Sequence, residues 1–166
     1  MASYRLGMMA GILLWGGLGM APARAAPLSD MVGTLNRAGA HYALQAAMDS
    51  ATRLHAPCAI AIVDRGGSLM AFDRFDHVRP GSPDLALGKA RTAALLQRPS
   101  EETEENTDNG RVAFVTAGFM VLRGGVPLKV GEEVVGAIGV AGMKKENDVR
   151  IATEAAEAFA REAAAH

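Results

Sequence analysis

Cysteine is almost absent from this sequence: Cys58 is the only one in 166 residues. An intramolecular disulfide is therefore excluded, and an oxidising compartment is tolerated but not exploited. Aromatic residues are scarce, at 5%. Tyr4 and the single tryptophan, Trp15, sit near the N-terminus, which leaves Tyr42, Phe72, Phe75, Phe114, Phe119 and Phe159 beyond it. The core must be built from Ala, Val, Ile, Leu and Met. Neither sign of charge dominates: 17 Lys and Arg stand against 18 Asp and Glu. Nothing in that balance points to nucleic acid or to an anionic membrane surface. After the first 25 residues no apolar run approaches the roughly 20 residues that span a bilayer as a helix.

What is present starts at the N-terminus. Met1 to Arg5 is short and carries one positive charge, and Leu6 to Met20 is nearly all apolar. Ala21-Pro22-Ala23-Arg24-Ala25 then offers the small residues a signal peptidase reads. This order is that of a secretory signal, with cleavage expected after Ala25. Residues 1–25 are thus expected to be a signal peptide and residues 26–166 one exported domain, periplasmic or secreted. Arg5 and Arg24 leave with the signal, so the mature balance is 15 against 18, or −3. A domain of this size can bury a real core.

The spacing predicts a long helix over Leu28–His55, with Leu35, Ala38, Tyr42 and Ala46 along one face. Cys58–Asp64 and Ser68–Asp73, joined by Arg65-Gly66-Gly67, read as a hairpin. Ser82-Pro83-Asp84 opens a helix to about Gln97, with Ser82 as its capping hydroxyl. Its Ala86, Ala90, Ala93 and Ala94 form a small-residue face suited to close helix packing or to oligomer contact. Ser100–Thr107 reads as a short acidic helix, and Val112–Leu122 as strand and loop. Val126–Val130 and Glu133–Val140 form a second hairpin around Gly131-Glu132. Asp148–Ala164 is a helix whose start Asp148 would cap, with Ile151, Ala155, Ala158 and Phe159 facing inward. The expected class is α/β of the α+β kind: a single domain with an antiparallel sheet of about five strands covered by helices.

Five pieces, in order, carry a resemblance. They are Ala61-Ile62-Val63-Asp64 with Gly66-Gly67, and Phe72-Asp73-Arg74-Phe75-Asp76. Then come Ser82-Pro83-Asp84-Leu85-Ala86 leading to Lys89-Ala90-Arg91-Thr92-Ala93, and Gly124-Gly125-Val126-Pro127-Leu128. Last is Val134-Val135-Gly136-Ala137-Ile138-Gly139-Val140 with Asp148 eight residues on. Over roughly Leu35–Phe159 the sequence resembles the GlcG/HbpS-like proteins, a family that also supplies the C-terminal domain of PduO-type proteins. The resemblance implies α-β-α layers, homo-oligomers and, in some members, haem. One exported branch is linked to oxidative-stress sensing through a partner sensor kinase. Two stretches depart from the family pattern. Met143-Lys144-Lys145 follows Gly142, and Asp108–Arg123 lacks the glycine-rich look.

Candidate site residues follow from chemistry and from that resemblance. Haem needs an imidazole with a free nitrogen at an apolar pocket. The resemblance places haem ligation on the first helix, where His41 lies; otherwise His41 faces solvent. His77 and Arg79 share a loop and could hold a carboxylate or a propionate. His55 sits at a helix end, where a cation suits the dipole. Lys89 could bind an anion, or pair with Asp64 or Asp73. Asp64, Asp73, Asp76 and Asp148 are turn and cap residues first. Cys58 opens a buried strand, which disfavours a reactive thiol. The glycine pairs lack the strand–loop–helix context of a phosphate cradle. The leading expectation is an exported, oligomeric protein that binds haem or another small anionic ligand through His41, His77, Arg79 and Lys89, in a redox or stress context. The alternative is an enzyme that moves a proton on, or isomerises, a small organic acid, with Lys89, Asp64 or His77 as acid–base groups. A third expectation is an assembly module without a ligand.

Overall fold

A computed structural model describes residues 31–166, and the expected signal peptide lies outside the described residues. Helix α1 spans Arg37–Arg53 and is followed by strands β1, Ala59–Asp64, and β2, Leu69–Arg74. Helices α2, Ser82–Leu96, α3, Ser100–Asp108, and α4, Ala113–Thr116, come next. Strands β3, Gly125–Val130, and β4, Glu133–Ala141, precede helix α5, Lys145–Ala163. The sheet is antiparallel throughout, in the order β2-β1-β4-β3. Helices α1 and α5 cover one face and α2 covers the other, which gives the α-β-α layering.

The central strands lack polar alternation because both of their faces are covered. They alternate in size instead. Ile60 and Ile62 of β1, with Ile138 and Val140 of β4, fill the α1/α5 side. Ala59, Ala61, Ala137 and Ala141 face α2 and meet its Ala86, Ala90, Ala93 and Ala94. Gly125 and Gly139 are cross-strand partners beneath that helix. A Cβ on Gly139 would fall 2.5 Å from the Ala90 amide nitrogen, and closer still to the Ala86 carbonyl oxygen. A Cβ on Gly125 would meet the Lys89 carbonyl. The glycine pair is therefore a seat on which the α2 backbone rests. The alanine face is used up in this packing inside the chain.

The outer edge of β3 is blunted. The Gly125 N–H donates to Ser100 Oγ at 2.9 Å, and Pro127 has no N–H to offer. The opposite edge strand, β2, leaves Leu69 and Phe72 exposed.

Four expectations change. Residues 31–36 are not helical, and Asn36 caps α1 by accepting from the Gly39 N–H at 2.8 Å, so the helix begins at Arg37 and not at Leu28. Its buried side runs through Ala40, Ala43, Leu44, Ala47 and Ala51, while Ala38 and Tyr42 lie outside it. Gly81 is the α2 cap, and the Ser82 hydroxyl is buried without a partner. Val112–Leu122 forms no strand: its amides bond back along the chain, as in Val115 N–H to Val112 O and Ala117 N–H to Ala113 O. The sheet among the described residues therefore has four strands, not five. Asp148 does not cap α5, which starts three residues earlier behind Lys144.

Candidate functional site

Asp148 has a different role. Its carboxylate oxygen lies 2.9 Å from Lys89 Nζ, and the two side chains are 6% and 5% exposed. Lys89 also donates to the Val140 carbonyl at 2.8 Å, and Asp148 accepts from the Gly142 N–H at 2.8 Å. Lys89 thus pairs with Asp148, and not with Asp64 or Asp73. Asp64 accepts from the Ser68 N–H and closes the β1–β2 turn, while Asp73 accepts from the Arg74 N–H. The pair joins α2 on one face of the sheet to α5 on the other, past the end of β4. Gly124, at φ 107°, leaves the gap: a Cβ there would lie 3.1 Å from Lys89 Nζ and 3.0 Å from Asp148 Cβ. Both side chains are almost wholly shielded from solvent in this arrangement.

Cys58 borders the same cluster. A Cβ on Gly142 would sit 3.2 Å from the Cys58 Cβ. Desolvation, reinforced by the Asp148 charge and opposed by Lys89, pushes the Cys58 thiol up to about 12. It stays a neutral thiol at physiological pH, which removes it as a nucleophile.

The other candidates are not brought together. His77 is exposed in the left-handed region at φ 63°. The Arg79 guanidinium donates to the Gly142 carbonyl at 2.9 Å and so steadies the β4–α5 connection. His55, also left-handed at φ 48°, is exposed behind α1. His41 is exposed on α1 and has no hydrogen-bond partner among the described residues. Lys89, Asp64 and His77 share no hydrogen bond.

The structure does form an apolar cleft at the start of α1, lined by Tyr42 and not by His41. The start of α1, the end of α5 and the β3–β4 hairpin enclose about 470 Å³. Leu35, Tyr42, Val130, Val135 and Phe159 supply its walls, and His166 and Glu162 stand at its rim. The wall is assembled by local chemistry. The Leu35 N–H donates to the Val135 carbonyl at 2.8 Å, and the Gly33 N–H donates to Glu133 Oε1 at 2.8 Å, so the chain before α1 is stitched to β4. At the end of α5, Glu162 Oε1 lies 3.0 Å from Nε2 of His166, which follows the helix. The volume suits a small-molecule site. For haem, the apolar walls fit a macrocycle, and Tyr42 and His166 are side chains of ligating type. No Lys or Arg lines the cleft, and Glu162 would repel propionates, so a haem there would keep its propionates in water. A pocket between the first helix and the sheet, or at a subunit seam, is what the sequence suggests, but the Lys89–Asp148 pair is not legible in it. The one signal was that Lys89 and Asp148 both fall inside the matched pieces.

Comparison with known proteins agrees with this architecture. Protein GlcG of Escherichia coli K12 is 41% identical over 98 residues, which is 58% of this chain and 73% of that protein. The solved structure of a double mutant of Streptomyces reticuli HbpS is 29% identical, with a TM-score of 0.72, covering 82% of this chain and 95% of that one. A PduOC:haem complex is 25% identical, with a TM-score of 0.69, covering 75% and 94%. The family model described as haem degrading protein HbpS-like matches residues 35–157. With the layered fold and the matched pieces in order, the chain belongs to the HbpS-like family.

Proposed function

We propose that this protein is an exported, oligomeric haem-binding protein, with His41 as the axial ligand. The observation that supports the ligand is the likeness to a structure of a family relative in complex with haem. His41 brings a free imidazole on α1, next in sequence to Tyr42 at the cleft wall. A single chain leaves that imidazole in water, so a second subunit over α1 is needed to keep the iron site dry. When bound, haem supplies one-electron or oxygen chemistry. This chain's own part is to present the imidazole and shelter the ring edge, and the second subunit excludes water. No helix among the described residues is long and apolar enough to cross a membrane, which is compatible with release after signal cleavage.

A haem titration of the mature protein by absorbance tests the reading, beside His41→Ala and His166→Ala. Saturable binding with a shifted Soret band, lost in His41→Ala and kept in His166→Ala, supports it. Loss only in His166→Ala moves the haem into the cleft. No saturable binding at about 1 µM, where a specific site of this kind would fill, removes haem from the reading.

A further inference from the structure

A second cleft, of about 550 Å³, lies on the other side of the molecule, between the outer face of α2 and residues 117–121. It is separate from the α1/α5 cleft, and the inference below does not depend on haem. Three observations bear on what it holds. Arg91 lines it; its Nε donates to the Gly67 carbonyl at 3.1 Å, and no carboxylate lies within ion-pair distance of it among the described residues. Thr92, 1% exposed, is also in the wall, and its hydroxyl is buried with no hydrogen-bond partner. An unmet buried hydroxyl is unfavourable until something accepts from it. The rest of the lining is apolar: Leu95, itself 50% exposed, with Phe119, Met120 and Val121 opposite. Gly88 lets Met120 lie close against α2, since a Cβ there would be 3.0 Å from Met120 Cε.

We propose that this cleft is a binding site for a monocarboxylate with an apolar tail. The two terminal nitrogens of Arg91 remain free to fork onto one carboxylate. The Thr92 hydroxyl donates to the same group, and the tail covers Leu95 and Met120. A phosphate dianion would find only one cation in the wall. A neutral apolar molecule would leave the Thr92 hydroxyl unmet and gain nothing from Arg91.

Calorimetric titration of the mature protein with octanoate tests this, with acetate and 1-octanol as partial ligands. Octanoate is expected to saturate, with acetate and octanol at least about tenfold weaker. Arg91→Gln should weaken octanoate about tenfold and leave octanol unchanged. Leu95→Glu, at an exposed position that does not threaten folding, should abolish octanoate binding. Amide shifts confined to residues 117–121 and α2 would place the ligand. Equal octanoate affinity in wild type and Arg91→Gln, or no saturable heat at about 1 mM, would overturn the proposal.

Discussion

Replacing Lys89 with Met is the sharpest test of how the layers are held. Lys89 and Asp148 are 5% and 6% exposed, so neither charge has water to fall back on. Lys89→Met leaves the Asp148 carboxylate with only the Gly142 N–H, and the Val140 carbonyl loses its donor. Removing one partner of such a pair costs about 3–5 kcal/mol. Against a total stability of about 5–15 kcal/mol this is a large fraction. At about 3 °C per kcal/mol for a chain this size, Tm should fall by about 10–15 °C. Asp148→Asn should cost a similar amount, because it strands the ammonium. The double variant removes both charges, keeps an oxygen for the Gly142 N–H and conserves volume. It should return to within about 1–2 kcal/mol of wild type. Urea unfolding followed by far-UV circular dichroism at fixed protein concentration measures all four corners of the cycle. A loss below about 1 kcal/mol in Lys89→Met, or a double variant as unstable as the summed singles, would refute the reasoning. A corollary bears on activity: loss of function in Lys89→Ala reports a broken scaffold before it reports a catalytic lysine.

Three other outcomes follow from the geometry. Gly139→Ala should destabilise by at least about 1–3 kcal/mol, because the added methyl meets the backbone of α2 and no side chain can move aside; a thermal melt unchanged from wild type would contradict this. Cys58, buried and with its thiol at about 12, should react with a thiol reagent at pH 8 only after denaturant is added. Glu154 clasps α1 to α5, accepting from Ser50 at 2.7 Å and from Arg150 and Arg53, and these bonds, that from Ser50 first, hold its carboxyl down at about 2 against 4.5 unfolded. A depressed carboxyl stabilises above its unfolded value and loses that contribution as pH falls towards its folded one. The stability gap between wild type and Glu154→Gln should therefore be full at pH 6 and shrink between about 4.5 and 2; a gap constant across that window would contradict the clasp.

The parts of the fold legible in the sequence are those with local causes. Arg65-Gly66-Gly67 and Gly131-Glu132 mark both hairpins, and Pro99 marks the break between α2 and α3. Ser82 reads as a cap because serine before proline usually is one, but tertiary packing buries it and leaves Gly81 at the boundary. Val112–Leu122 reads as strand and loop because an apolar run without a period carries no helix signal, yet its amides bond back along the chain instead. Asp148 pairs with a lysine 59 residues away, a distance at which no spacing rule operates. The nearer carboxylates Asp64 and Asp73 are the natural local partners for Lys89, and both are already spent on turns. The cleft at the start of α1 is closed by Val135 and Phe159, so its walls could not be read from the first helix alone.

The glycine seat under α2 gives the molecule two unequal tolerances to change. On the α1/α5 side the contacts are between side chains of several sizes, and a swap of similar volume can be absorbed by repacking. On the α2 side the contact is alanine against alanine and, at the glycine seat, backbone against backbone, with little to rearrange. Drift in this protein, natural or in a saturation library, should therefore be lopsided. Ile60, Ile62 and Ile138 can trade places with valine or leucine at modest cost, while Gly125, Gly139 and Ala90 accept no addition. Efforts to raise stability by filling space belong on the first side only; on the second, the sheet works as a gauge set to the thickness of a bare helix.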